Sequence, residues 1–266
     1  MRIWACSLLV ATSVLWAQHS PPTDAQFISF PARGGDLRGF YYIPKGKGPF
    51  PAVLWNHGSE KLPGAQAELA EFYTSHGFVF FLPHRRGQGK SSGPYIMDEI
   101  RRSRDPSIAV QLQDLANEDV VAAMTWLRTQ KEVDPNRIVV SGCSFGGIQT
   151  LLTAEKGLGA RAFIAFAPAA QSWNNGLLQS RLEQAVRKAK APVFIVQAKN
   201  DYSTGPAEVL GKVAKKDGGR AEIYPAFGHS AQDGHWGFAT SKAGIEIWQK
   251  DVLEFISKAF EVPPAQ

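Results

Sequence analysis

The stretch "RIVVSGCSFGGIQTLL", Arg137 to Leu152, sets two potential nucleophiles, Cys143 and Ser144, side by side in a glycine frame. Gly142-Cys143-Ser144-Phe145-Gly146 fits the pattern G-x-S-x-G, and Gly147 extends it. The pattern has a mechanical meaning. A strand turns abruptly into a helix, the middle residue is held in a strained conformation, and glycines two before and two after remove the side chains that would collide. Only the middle residue projects outward, so the expected nucleophile is the Ser144 hydroxyl, attacking a carbonyl carbon. Cys143 sits one step early and reads as a small buried apolar residue.

A second match, Gly89-Lys90-Ser91-Ser92-Gly93, lies in a glycine-rich loop and runs into Pro94. No helix follows it, so no elbow is expected there. A serine hydroxyl also needs a base to take its proton and an acid to orient that base. On a sheet that carries such an elbow, both come from later strand ends in the order Ser, Asp, His. Asp201 follows the apolar run "PVFIVQAKN" and is the candidate acid. Two histidines in "YPAFGHSAQDGHWGF" compete as the base. His235, after an Asp-Gly turn and beside Trp236 and Phe238, is preferred, with His229 as the alternative. Oxyanion donors are expected from the backbone N–H groups of Phe145, at the helix start, and of Ser59 in "NHGSE", where Gly58 would let the amide turn inward. His57 is a third base candidate, but reads rather as a brace for that loop by hydrogen bonding. Arg85 and Arg86 follow a strand end, where they are solvated, salt-bridged or available to an anionic substrate group.

The elements that must position these residues follow from the pattern of apolar runs. "QFISFPA" and "LRGFYYIP" read as two strands joined by "RGGD". Strands are then expected in "FPAVLWNHG", "FVFFLPHRRGQG", "RIVVSG", "RAFIAFAP", "PVFIVQA" and "AEIYPAF", with helices in "AELAEFYTSHG", "EDVVAAMTWLRTQ", "GGIQTLLTAEKG", "RLEQAVRKAK" and "IEIWQKDVLEFISKAF". Short continuous apolar strands alternating with helices imply a mostly parallel, twisted sheet of about eight strands covered on both faces. Ligands bind such sheets at the carboxyl ends of the strands, where every candidate above falls. "PYIMDEIRRSRDPSIAVQLQ" and "AQSWNNGLLQS" are expected to form a partial cap over the site.

The chain has 266 residues, enough for one large domain, with 44% apolar and 20% charged residues. The net charge of +5 is spread thinly, with no basic run among aromatics, so nucleic acid is not an expected partner. Arg2, the apolar run "IWACSLLVATSVLW" and Ala17 have the layout of a secretory signal, giving a leader at 1–17 and a single domain at 18–266. The run is short of the roughly 20 apolar residues of a span, so export without a stable membrane anchor is expected, to the periplasm or beyond. Cys6 would leave with the leader, and Cys143 alone cannot form an internal disulfide. No Cys/His spacing suggests zinc, and neither a metal nor a cofactor is expected.

Taken together, "GCSFGG", "WNHGS", "FLPHRRGQGKSSG", "VDPNRIVVSG", "FIVQAKNDYS" and "DGHWGF" resemble an α/β-hydrolase of the dienelactone hydrolase-like group, over roughly Gln26 to Phe260. The resemblance implies the α/β-hydrolase fold, a Ser144–Asp201–His triad and cofactor-free hydrolysis of small-molecule esters or lactones. Dienelactone hydrolases proper carry cysteine at the centre of the elbow, where this chain has Ser144, which favours a general carboxylesterase. Their base is closely followed by phenylalanine, to which "HWGF" is similar with one extra residue. The catalytic core also resembles serine peptidases of the prolyl oligopeptidase type, although these usually carry a large extra domain. A non-catalytic binding protein on the same scaffold is the third reading.

Overall fold

The structure is a computed structural model that describes residues 25–103, 105–215 and 218–262. The leader expected at 1–17 lies outside the described residues. Eight strands form one sheet: β1 (Ala25–Phe30), β2 (Leu37–Tyr42), β3 (Phe50–Asn56), β4 (Val79–His84), β5 (Val133–Cys143), β6 (Ala162–Phe166), β7 (Val193–Ala198) and β8 (Arg220–Tyr224). Their spatial order is β1-β2-β4-β3-β5-β6-β7-β8, with β1 and β2 antiparallel to their neighbours and β3 to β8 parallel. The sheet is twisted and does not close, and the fold is that of the α/β-hydrolases.

Burial on both faces explains why the inner strands are mostly apolar. Along β3, Ala52 and Leu54 point into one core, and Val53 and Trp55 into the other. The first core is closed by α3 (Pro106–Leu127), α4 (Phe145–Lys156), α5 (Gly176–Arg187) and α6 (Gly205–Ala214). The second is closed by α1 (Ala67–Ser75) and α8 (Lys242–Glu261), which contributes Trp248, Val252 and Phe255. Each fully buried large side chain contributes about 1.5–3 kcal/mol. The alternation therefore fixes the register, since a one-residue slip would exchange the two faces.

The segment expected as a cap is instead α2 (Ile96–Arg102) and the first half of α3. Its apolar residues have a different use: Ile96, Met97, Ile100 and Leu112 pack with Ala116 around Phe145. The Asp105 carboxylate caps α3 by accepting from the Ser107 N–H at 2.8 Å, and Pro106 takes the first helical position. The second expected cap segment is a short 3₁₀ turn, Ala170–Ser172, and the start of α5. Gln171 of this turn reaches the cleft described below. No described helix is long and apolar enough to cross a membrane.

Candidate active site

β5 turns into α4 at Ser144, which has φ 59° and ψ −118°. A residue with a Cβ adopts such a conformation at a cost of about 1–3 kcal/mol, so it persists only where its surroundings enforce it. Three contacts enforce it here. The Ser144 N–H donates to the Phe166 carbonyl at the end of β6 (3.0 Å), and the Ser144 carbonyl accepts from the Ile148 N–H (3.1 Å). The end of β3 presses on the turn from the other side. A Cβ added to Gly146 would lie 1.9 Å from the Asn56 carbonyl oxygen, and one on Gly142 would lie 2.6 Å from it. The glycine frame is thus a demand for close approach.

The elbow separates its two candidate nucleophiles. Cys143 has no exposed surface and packs in the core beside Trp55 and Phe166. Its thiol donates to the His235 carbonyl at 3.6 Å, and burial pushes its pKa up, with the charges of Asp201 and Glu60 adding to the shift. Ser144 lines a cleft. Its hydroxyl makes no hydrogen bond among the described residues.

Asp201 follows β7, and its carboxylate is held on both oxygens. Oδ1 accepts from His235 Nδ1 at 2.7 Å and from the Tyr202 N–H at 2.6 Å, while Oδ2 accepts from Gln197 Nε2 at 2.9 Å. An imidazole pinned through Nδ1 leaves Nε2 free on the other side of the ring, and His235 Nε2, though buried, has no partner among the described residues. His235 lines the same cleft as Ser144. No hydrogen bond joins the two in this structure; catalytic hydrogen bonds are often long before substrate binds.

His235 reaches this position on a single π-helical turn, Asp233–Gly237, that leads into α7 (Phe238–Thr240). Asn200 ties the loop down, donating to the Phe227 and Ser230 carbonyls and accepting from the Phe227 N–H. The ring packed edge-on against the imidazole belongs to Tyr202, at 5.2 Å between centroids. This corrects the expectation that Trp236 and Phe238 flank it. Trp236 forms cleft wall, and Phe238 packs in the core on Tyr224 and Phe227. His229 is exposed, and its N–H donates to the Asp233 carboxylate that closes the turn. The structure brings His235, and not His229, to Asp201.

Of the two expected amide donors, Phe145 follows Ser144 in the chain, and Ser59 shares the cleft with it. Phe145 is the first residue of α4, so its N–H has no acceptor within its own helix. Ser59 lines the cleft. Gly58 does not adopt a positive φ; a Cβ there would meet Glu60 Oε2 at 2.6 Å and the Trp236 ring at 3.2 Å, so the glycine supplies room rather than an unusual turn. His57 is fully buried, and burial and the neighbouring Arg85 charge hold its pKa well below the ordinary imidazole range. It belongs to the loop's scaffold. Arg85 is buried against the same loop, and Arg86 pairs with Asp119 at 2.5 Å. Ser91, the centre of the second G-x-S-x-G match, donates to the His84 carbonyl and accepts from the Arg38 N–H, bracing β2 against the end of β4.

Sequence reasoning passed over Gln197, Asn200 and Tyr202. Gln197 carried a signal, being a polar residue inside an otherwise apolar and wholly buried strand; such a group needs a partner. The cleft has a volume of about 1550 Å³ and runs from Ser144 and His235 past Trp236 and Glu60 to Phe27 and Phe40 on the β1–β2 hairpin.

The dienelactone hydrolase family model matches residues 37–260. Among curated proteins, YfhR of Escherichia coli O157:H7 is 28% identical over 140 residues, 51% of this chain and 44% of that protein. The chain thus spans less than half the length of this relative. Among solved structures, esterase 2 of Thermogutta terrifontis, phosphoramylated by tabun, superposes with a TM-score of 0.61 at 19% identity, over 87% of this chain and 95% of its own. The acylaminoacyl peptidase of Pyrococcus horikoshii gives 0.64 at 16% identity, over 88% of this chain and 41% of its own.

Proposed function

The chain belongs to the dienelactone hydrolase family, and from that premise we propose that it is a serine hydrolase cleaving small-molecule carboxylic esters or lactones through an acyl-enzyme on Ser144. The observation that carries this reading is the strained Ser144 in one cleft with a histidine whose Nδ1 is fixed on Asp201 and whose Nε2 is uncommitted.

In the proposed cycle, Ser144 Oγ attacks the ester carbonyl carbon and its proton passes to His235 Nε2. The Phe145 and Ser59 N–H groups hold the oxyanion. The C–O bond to the alcohol breaks as His235 returns the proton to the leaving oxygen. A water then loses a proton to His235 Nε2 and attacks the acyl carbon, and the second tetrahedral intermediate expels Ser144, which recovers its proton. The Asp201 carboxylate, hydrogen-bonded to Nδ1, stabilises the imidazolium.

The substrate class follows from the walls. Phe27, Phe40, Leu62 and Trp236 offer apolar surface on a scale suited to a bulky acyl or alcohol group. Arg85 and Arg86 are both engaged elsewhere, which disfavours substrates that need a guanidinium for a free carboxylate. The leader reading of residues 1–17 puts the reaction outside the cytoplasm; mass analysis of the released protein tests where it is cut. Hydrolysis of neutral p-nitrophenyl esters by the wild type, with loss of about 10⁴-fold or more in kcat in Ser144→Ala, is the test of the chemistry. Unchanged turnover in that variant contradicts it.

A further inference from the structure

Arg85 is a cation with 2% of its surface exposed, and among the described residues no carboxylate comes within ion-pair distance of it. Burial pushes its pKa down to about 10, with Glu60, Asp119 and Tyr95 opposing the shift, so it stays charged at neutral pH. A buried charge is retained only where strong partners compensate it. Here the partners are neutral: two main-chain carbonyls, the Gln88 side-chain oxygen and His57 Nδ1, which lies 3.0 Å from Nη2. Arg85 Nη2 donates to the His57 carbonyl at 2.9 Å and the Gly58 carbonyl at 2.5 Å, and Nε donates to Gln88 Oε1 at 3.2 Å. Gln88 Nε2 donates to the Glu60 carbonyl at 2.7 Å, and the Tyr95 hydroxyl donates to the Ser59 carbonyl. Four successive carbonyls of the loop after β3 are therefore held by three side chains from the loop after β4.

In a trans peptide the carbonyl and the next residue's N–H point in opposite directions, and the only cis bond among the described residues is Gly48–Pro49. Fixing the Gly58 carbonyl on Arg85 therefore directs the Ser59 N–H away from Arg85. Gly58 and Ser59 line the cleft, and Arg85 does not. The guanidinium carbon also sits 4.9 Å from the centre of the Phe145 ring, so one cation touches Phe145 and the Gly58 carbonyl of the peptide that carries the Ser59 N–H.

We propose that Arg85 is a positioning residue that aims the Ser59 N–H at the developing oxyanion through the Gly58 peptide, with Tyr95 and Gln88 locking the two peptides that follow. The inference rests on the acyl-enzyme reading above. It makes the second donor a property of a buried arginine one loop away, preorganised before substrate arrives.

The test compares Arg85→Met, Arg85→Lys and Tyr95→Phe with Ser144→Ala on a neutral p-nitrophenyl ester. Tyr95→Phe removes only an oxygen, so it keeps the test open should Arg85→Met fail to fold. Misaiming one oxyanion donor is expected to lower kcat by about 100-fold in Arg85→Met and about 10-fold in Tyr95→Phe, with KM within about threefold. Acylation and deacylation rates fall by the same factor, because both intermediates use the same donors. Affinity for an alkyl boronic acid, a tetrahedral mimic, falls in step with kcat/KM, and Arg85→Lys recovers part of each loss. A purely structural role predicts a lower Tm without this parallel. If Ser144→Ala is inactive while Tyr95→Phe and Arg85→Lys keep kcat and boronate affinity within twofold, the positioning role is wrong. If Ser144→Ala stays active, the acyl-enzyme reading itself fails.

Discussion

Asp201 Oδ1 stands 2.7 Å from His235 Nδ1, joining the end of β7 to a π-turn 34 residues later. The contact is dry: His235 is 3% exposed, and the second Asp201 oxygen is taken by Gln197. An orienting carboxylate in such a place fixes both the tautomer and the ring plane of the imidazole. His235→Ala and Asp201→Asn are each expected to lower kcat by about 10⁴-fold on a p-nitrophenyl ester. His229→Ala is expected to stay within about twofold, because its exposed ring touches neither Asp201 nor the cleft. Steady-state kinetics on the three variants decide between the two histidines.

The backbone at Ser144 makes a stability prediction independent of turnover. Its φ of 59° and ψ of −118° cost a residue with a Cβ about 1–3 kcal/mol, whereas glycine adopts them freely at an entropic cost of about 0.5–1 kcal/mol. Ser144→Gly is therefore expected to be more stable than Ser144→Ala by about 1 kcal/mol in urea unfolding, with both inactive. Equal stability would mean that the elbow stores no strain.

Cys143 lies in the core with its thiol on the His235 carbonyl and its pKa raised by burial. Native protein is expected to resist iodoacetamide, and unfolded protein to react with it. Cys143→Ala is expected to keep kcat within about twofold and to lose about 1 kcal/mol of stability through lost packing. A large loss of activity at unchanged stability would return the thiol to the reaction.

Acid stability should report His84. Both of its ring nitrogens are buried, and burial lowers its pKa from 6.5 to about 4, with the nearby Gly64 backbone opposing the shift and Arg85 adding to it. The folded pKa lies below the unfolded one, so the unfolded chain binds the proton first. The stability linked to His84 is present above pH 6.5 and is lost as pH falls towards 4. Between pH 7 and 4.5 the wild type should lose roughly 2 kcal/mol more than His84→Gln, measured by denaturant unfolding. His57, also held low by burial, acts in the same direction in both proteins, and the His84 contribution to its shift is present in the wild type alone.

The sheet was legible because its inner strands are short, continuous and apolar, which burial on both faces requires. The β1–β2 hairpin was legible from the glycine turn between its strands. Besides the three-residue α7, two helices were not. α6 opens with Gly205-Pro206, which reads as a turn, although proline is at home in a helix's first turn. α2 has only one buried residue, Ile96, too little to leave a periodic stripe. At the site, the elbow was readable because glycine spacing is local. The competition between His229 and His235 was not decidable from spacing, because it turns on the π-turn and on Asn200 holding the loop across 30 residues. The carbonyl clamp was equally hidden: Arg85 looked like a surface charge past a strand end, and its role depends on which way four peptide planes face.

The central claim is that the Ser144 hydroxyl, and no other side chain, forms the covalent intermediate. Incubation with an alkyl fluorophosphonate, followed by intact-mass and peptide mapping, tests it most directly. The account predicts one adduct per chain on the peptide carrying Ser144, activity lost in step with labelling, and no adduct in Ser144→Ala. Labelling at Cys143, Ser91 or another side chain, or an unlabelled wild type that still hydrolyses the ester, would contradict it.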